Sequence, residues 1–87
     1  MAYTVESLKT AERQLAALPQ DAQRQIARKI EALRKDPRPS GVKLLHGDER
    51  LHRLRVGDYR VIYSIEGKRL VILVIRIGHR KDVYKNL

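Results

Sequence analysis

Eighty-seven residues make one small domain, and the lack of cysteine excludes both a disulfide framework and a thiol nucleophile. Nineteen Lys and Arg against ten Asp and Glu leave a formal charge of +9, which points to a polyanionic partner such as nucleic acid or a ribonucleoprotein. The opening Met-Ala-Tyr-Thr-Val-Glu lacks the regions of a signal peptide, and the apolar run Leu70–Ile75 is far shorter than the ~20 residues of a membrane span. A cytoplasmic chain with no membrane partner is therefore expected.

Tyr3 to Val5 is β-prone and is expected as an edge strand. Ser7 is a fair N-cap for a helix starting at Leu8, whose apolar stripe is Leu8, Ala11, Leu15 and Leu18. Pro19 ends that helix and suits the first turn of the next, where Ala22, Ile26, Ile30 and Leu33 form the stripe. Asp21 near its start and Lys35 near its end both complement the helix dipole. The two helices make a hairpin, followed by the breaker-rich connector Lys35-Asp36-Pro37-Arg38-Pro39-Ser40-Gly41. Lys43-Leu44-Leu45-His46-Gly47 reads as a loop with an apolar anchor.

Leu51 to Ile77 holds three β-rich runs separated by Val56-Gly57-Asp58 and Glu66-Gly67-Lys68. Each break supplies a glycine where positive φ costs least, so a three-stranded antiparallel meander is expected. Leu54 and Val56 share one face, with Arg53 and Arg55 on the other. Tyr59, Val61, Tyr63 and Ile65 share a face, leaving Arg60, Ile62 and Ser64 opposite. Leu70–Ile75 is apolar throughout, as in a mid-sheet strand. Asp82 to Leu87 suffices for one or two helical turns. The fold class is α+β: an N-terminal strand, a two-helix hairpin packed on an antiparallel meander, and a short C-terminal helix, with residues 1–87 as a single domain.

Several chemistries lack their residues. His46, His52 and His79 have no metal-ligand spacing, the acids are scattered singly, and no glycine-rich nucleotide loop or nucleophile elbow is present, so neither metal nor cofactor is expected. What remains is a set of fixed cations expected on one face: Arg53, Arg55, Arg60, Arg76 and Arg80, with Tyr84 four residues beyond Arg80. Guanidinium donates paired hydrogen bonds to phosphate and stays charged, so such a face could stabilise the charge that builds up on an attacked phosphodiester. In RNA the attacking group can be the substrate's own 2′-hydroxyl. The alternative is an ordinary solvated sheet face.

The segments R-L-R-V-G-D-Y-R-V-I-Y (53–63) and G-H-R-K-D-V-Y (78–84) resemble the RelE branch of the RelE/ParE toxins of bacterial toxin–antitoxin modules, and the likeness extends over nearly the whole chain. The resemblance implies a toxin that cleaves mRNA in the ribosomal A site without metal, together with an acidic, RelB-like antitoxin from the same operon in a hetero-oligomer. It assigns catalysis to Arg53, Arg60, Arg80 and Tyr84, and leaves Arg55, Arg76, Lys81 and Lys85 to hold RNA and the ribosome. The chain departs from the family pattern: Leu51 and Arg53 stand where lysines are usual, and three rather than five residues separate Arg80 from Tyr84. Arg53 cannot accept a proton at physiological pH. His79 is then a candidate general base, alongside His52, Tyr84, Glu49 and the ribosome itself; otherwise it only shapes the turn into the tail. Two other readings share these residues: a gyrase inhibitor of the ParE type, and an RNA-binding module without catalysis.

Overall fold

The computed structural model describes residues 2–45 and 48–83. The chain order is β1 (Thr4–Ser7), α1 (Lys9–Ala16), α2 (Gln20–Ala32), β2 (Lys43–Leu45), β3 (Asp48–Val56), β4 (Tyr59–Glu66) and β5 (Val71–His79). All five strands form one sheet in the order β1-β5-β4-β3-β2. Strands β3, β4 and β5 are the antiparallel meander, while β1 joins β5 in parallel, so the apolar β5 lies inside the sheet with a neighbour on each side.

The α1–α2 hairpin covers one face. Ala11, Ile26 and Leu33 pack with Leu54, Val56, Val61, Tyr63, Ile72, Val74 and Ile77 into a single core, to which Leu15, Leu18 and Ile30 add their flanks. These are the expected stripes of both helices, except that Leu8 is 43% exposed. Polar side chains fix the hairpin at its ends. Gln23 donates to the carbonyls of Leu18 and Ala16, closing the C-terminus of α1. Gln14 of α1 accepts the N–H of Ile77, which lies beyond the point where β1 stops pairing with β5 at Val74. Arg34 brackets Tyr3, its carbonyl accepting the Tyr3 N–H and its Nε donating to the Tyr3 carbonyl. The Tyr63 hydroxyl donates to the Pro37 carbonyl at 2.8 Å, tying the connector to the middle of the sheet.

Local details differ from expectation for identifiable reasons. Ser7 is the last residue of β1, and the cap position of α1 is Leu8, with no side-chain cap; parallel pairing to Val74 holds Ser7 extended. Lys43–Leu45 is not a loop but an edge strand, because β3 offers it a free edge; three residues are too few to show a strand period. Leu44 is 53% exposed. In the first meander turn Gly57 does adopt a positive φ, +59°. In the second the left-handed residue is Leu70, φ +53°, and Gly67 does not take that conformation. Leu70 is held there because its carbonyl accepts the Thr4 N–H at the start of the β1–β5 ladder. The expected C-terminal helix falls mainly outside the described residues. Asp82 and Val83 both donate to the His79 carbonyl in a turn.

Candidate nucleic-acid interface

Strand register decides which side chains share the open face. Arg55 stands directly opposite Arg60, and Ile62 stands opposite Arg53 on one side and Arg76 on the other. All four arginines therefore project from the face turned away from the helices, as the strand alternation implies. Arg60 donates to the carbonyls of Gly57 (3.2 Å) and Tyr59 (2.9 Å), and Arg55 Nε donates to the same Gly57 carbonyl at 3.4 Å. Two guanidinium groups thus converge on one neutral oxygen. Like charges directly opposite across a ladder are destabilising, so the pair makes physical sense chiefly when an anion joins it.

This face is not purely polar. Ile62 has no exposure, and Val83, 2% exposed, lies against Gly78, where an added Cβ would sit 3.6 Å from it. Arg76 Nη1 donates to the Val83 carbonyl at 3.2 Å. Arg76 therefore holds the tail against the sheet in addition to adding charge to the face. Arg80 lies past the end of β5, with its N–H on the Asp58 carbonyl at 2.8 Å. It stands beside the same Gly57-Asp58 turn on which Arg55 and Arg60 converge. Lys81 is exposed in the same tail turn. Tyr84 and Lys85 lie outside the described residues.

His79 is not brought to the arginine face. It pairs with Tyr59 across the β4–β5 ladder, on the helix side of the sheet, and the two rings meet edge-on at 5.9 Å. Its Nδ1 accepts the Lys81 N–H at 3.2 Å, so that ring nitrogen is occupied by a backbone donor of the tail turn. His52 is buried on the core side, stacked on Tyr63 at 5.4 Å. Tyr63 is a packing and hydrogen-bonding residue, and burial pushes its phenol up to about 12.

One part of the basic surface was missed from the sequence. A groove of about 940 Å³ opens where β3 runs past the end of β2, between the arginine strands, the Pro39–Gly41 connector and one flank of α2. Among the described residues its lining has Arg28, Lys29, Lys43, Arg53, Arg55 and Arg60 and no carboxylate. On α2 the contributing positions are Gln25, Arg28, Lys29 and Ala32. That is a second helical stripe, one residue behind the apolar stripe of Ala22, Ile26 and Leu33. The stripe was legible; which strand it would face was not. No group of three or more His, Asp or Glu positioned to hold a metal ion occurs among the described residues.

A helical hairpin on one side of a mixed sheet and an arginine-bearing open face on the other define a small α+β domain with a strongly basic working surface. The same fold recurs in known proteins. The family model for the ParE toxin of the type II toxin–antitoxin system, parDE, matches residues 5–84. Toxin RelE1 of Methanocaldococcus jannaschii is 30% identical over 89 residues, covering 99% of both chains. Toxin RelG of Mycobacterium tuberculosis is 32% identical over 89 residues, covering 98% of this chain and 99% of the other. Among solved structures, the archaeal RelE–RelB complex from Pyrococcus horikoshii aligns with a TM-score of 0.82 at 33% identity, over 95% of this chain and all of that one. The chain belongs to the RelE/ParE superfamily and is a RelE-like toxin of a type II toxin–antitoxin system.

Proposed function

We propose that this toxin is a ribosome-dependent endoribonuclease that cleaves translated mRNA in the A site and so arrests translation in the cytoplasm. The observation that carries the reading is the convergence of Arg55 and Arg60, opposed across the ladder, on the Gly57-Asp58 turn that also receives the Arg80 backbone. In this reading the substrate's 2′-oxygen attacks the adjacent phosphorus and the bond to the 5′-oxygen breaks. The products are a 2′,3′-cyclic phosphate and a 5′-hydroxyl. The 2′-hydroxyl proton passes to water or to the ribosome, and the leaving oxygen takes one up. Arg53, Arg60 and Arg80 stabilise the extra negative charge on phosphorus oxygens, while Tyr84 stacks on a base. Fixed cations supply the charge that a metal supplies in other nucleases. In this reading His79 orients the tail, its Nδ1 accepting the Lys81 N–H, and does not take the proton.

The partner in the resting state is an acidic, RelB-like antitoxin that masks the arginine face within a hetero-oligomer. Several solved neighbours are themselves RelE–RelB complexes, which supports this assignment. A gyrase-directed activity is the second reading, favoured only by the ParE description of the matching family model. The deciding experiment expresses the chain alone, maps new RNA 5′ ends across the transcriptome and assays gyrase in parallel. Breaks confined to translated frames, persisting in EDTA on polyamine-stabilised ribosomes, are the expected result. Intact mRNA with inhibited gyrase would replace this reading by the second.

A further inference from the structure

The strand arginines form only one wall of the basic groove. The opposite wall is the flank of α2, where Arg28 and Lys29 are both exposed, with Lys43 at the edge of β2 between the two walls. Among the described residues, no side-chain hydrogen bond or ion pair involves Arg28 or Lys29. The carboxylates beside other cations sit elsewhere: Asp21 with Arg24, Glu31 with Arg34, and Glu6 and Glu66 with Arg69. We infer that the α2 wall is a second phosphate-binding subsite, which grips the RNA backbone flanking the cleaved position while the sheet wall holds the scissile phosphate. This inference rests on the ribonuclease reading and extends it from one phosphate to a strand.

The lining chemistry favours RNA over an acidic protein segment. A peptide bound tightly needs apolar anchors buried in pockets as well as charge. The exposed large apolar side chains among the described residues, Leu8 and Leu44, do not line the groove. Its exposed side chains are cationic, polar or small, with Leu54 and Val56 buried at its floor, which suits a backbone carrying one charge per nucleotide and no fixed side chains. An open channel without apolar pockets is equally unsuited to a small ligand.

The test uses a single-stranded 2′-O-methyl RNA, which cannot be cleaved, so binding is read apart from catalysis. Fluorescence anisotropy across a salt series compares the parent toxin with Arg28→Gln/Lys29→Gln. A matched control, Lys9→Gln/Arg13→Gln, removes the same charge from α1, away from the groove. Circular dichroism checks that each variant folds. Each lost single-strand phosphate contact lowers the slope of log affinity against log salt by about 0.7, so the groove variant should lose about 1.4 of slope and the control none. Single-turnover cleavage on ribosomes, run alongside, should show a higher KM with kcat little changed for the groove variant.

Equal slopes for the two doubles overturn the subsite, whether or not the parent cleaves. A groove-specific loss of slope with no cleavage by the parent leaves the subsite standing and removes the nuclease reading instead. Groove-dependent binding of poly-glutamate with no groove-dependent binding of RNA would overturn the inference and assign this wall to an acidic protein.

Discussion

Replacing Arg55 with threonine should make this protein more stable and a poorer toxin, and the geometry gives both signs. Arg55 and Arg60 face each other directly, a like-charge arrangement that costs about 0.2–1 kcal/mol. The compensating bond from Arg55 to the Gly57 carbonyl is 3.4 Å long, beyond the usual range, so little is lost with it. Threonine also suits a strand better than most polar residues. The net gain, about 0.2–1 kcal/mol, corresponds to a rise in Tm of about 1–8 °C for a domain of this size. Arg60→Thr relieves the same repulsion but breaks bonds of 3.2 and 2.9 Å, each worth about 0.5–1.5 kcal/mol. Its Tm should stay level or fall. Thermal melts of the parent and both variants at 20 mM and 1 M salt provide the assay, since a Debye length of about 3 Å at 1 M removes most of the repulsion. The Arg55→Thr gain should therefore shrink with salt, while its growth inhibition is already weakened at either salt-derived stability. A variant less stable than the parent at low salt, or a gain indifferent to salt, would refute the argument from opposed charges.

Three further outcomes follow from single contacts. Gly57→Ala should cost about 1–2 kcal/mol in a urea melt, because φ is +59° there while nothing lies within 4 Å of the added Cβ; Gly57→Asn should cost less, since asparagine tolerates that conformation. Tyr63→Phe should lower stability by about 0.5–1.5 kcal/mol at neutral pH by removing the bond to the Pro37 carbonyl. The same variant should lose an alkaline limb: the parent phenol titrates at about 12 when folded against 10.0 unfolded, so the native state holds the extra proton and stability falls as pH rises from 10 to 12. Parent melts that run flat over that range, or a phenylalanine variant with the same limb, would contradict the assignment. Arg76→Gln should free the tail by removing the donor to the Val83 carbonyl, read as faster amide exchange at Val83 with Ile72 and Val74 unchanged. Unaltered exchange at Val83 would show that the turn onto the His79 carbonyl and packing against Gly78 hold the tail without Arg76.

Much of this molecule is legible in the chain because two periods, 2.0 and 3.6, run cleanly through it. The alternation from Arg53 to Val56 and from Tyr59 to Ile65 separates core from arginine face, and Ala22, Ile26 and Leu33 mark the buried stripe of α2. What the periods miss is set by tertiary partners. Lys43–Leu45 becomes a strand only because β3 has an open edge. Leu70, not Gly67, takes the left-handed turn conformation because the parallel β1 demands its carbonyl. The bulge between Val74 and Arg76 restores the facing of Arg76 and Ile77, and without it the arginine would point into the core. His79 shows the same limit from the other side. The ladder pairs it with Tyr59 on the helix side, a placement that its spacing from Arg80 does not reveal. The α2 wall of the groove depends on how the connector brings α2 over β3, and no local signal carries that.

The charge of +9 is therefore not spread evenly, and its placement has a kinetic meaning. Among the described residues, ion pairs occur at the two ends of α2 and at the β4–β5 turn, where Glu66 meets Arg69 at 2.7 Å. The opposite end of the sheet, around the Gly57-Asp58 turn and the β2–β3 edge, collects Arg55, Arg60, Arg80 and the two walls of the groove. A molecule charged this way approaches a polyanion with its basic end foremost, and steering of this kind raises association rates more than it deepens affinity. The same asymmetry constrains the antitoxin. To silence the toxin it must cover the basic end, not merely neutralise net charge. An acidic segment bound over the paired Arg24, Arg34 and Arg69 sites would lower the overall charge and leave the working face open.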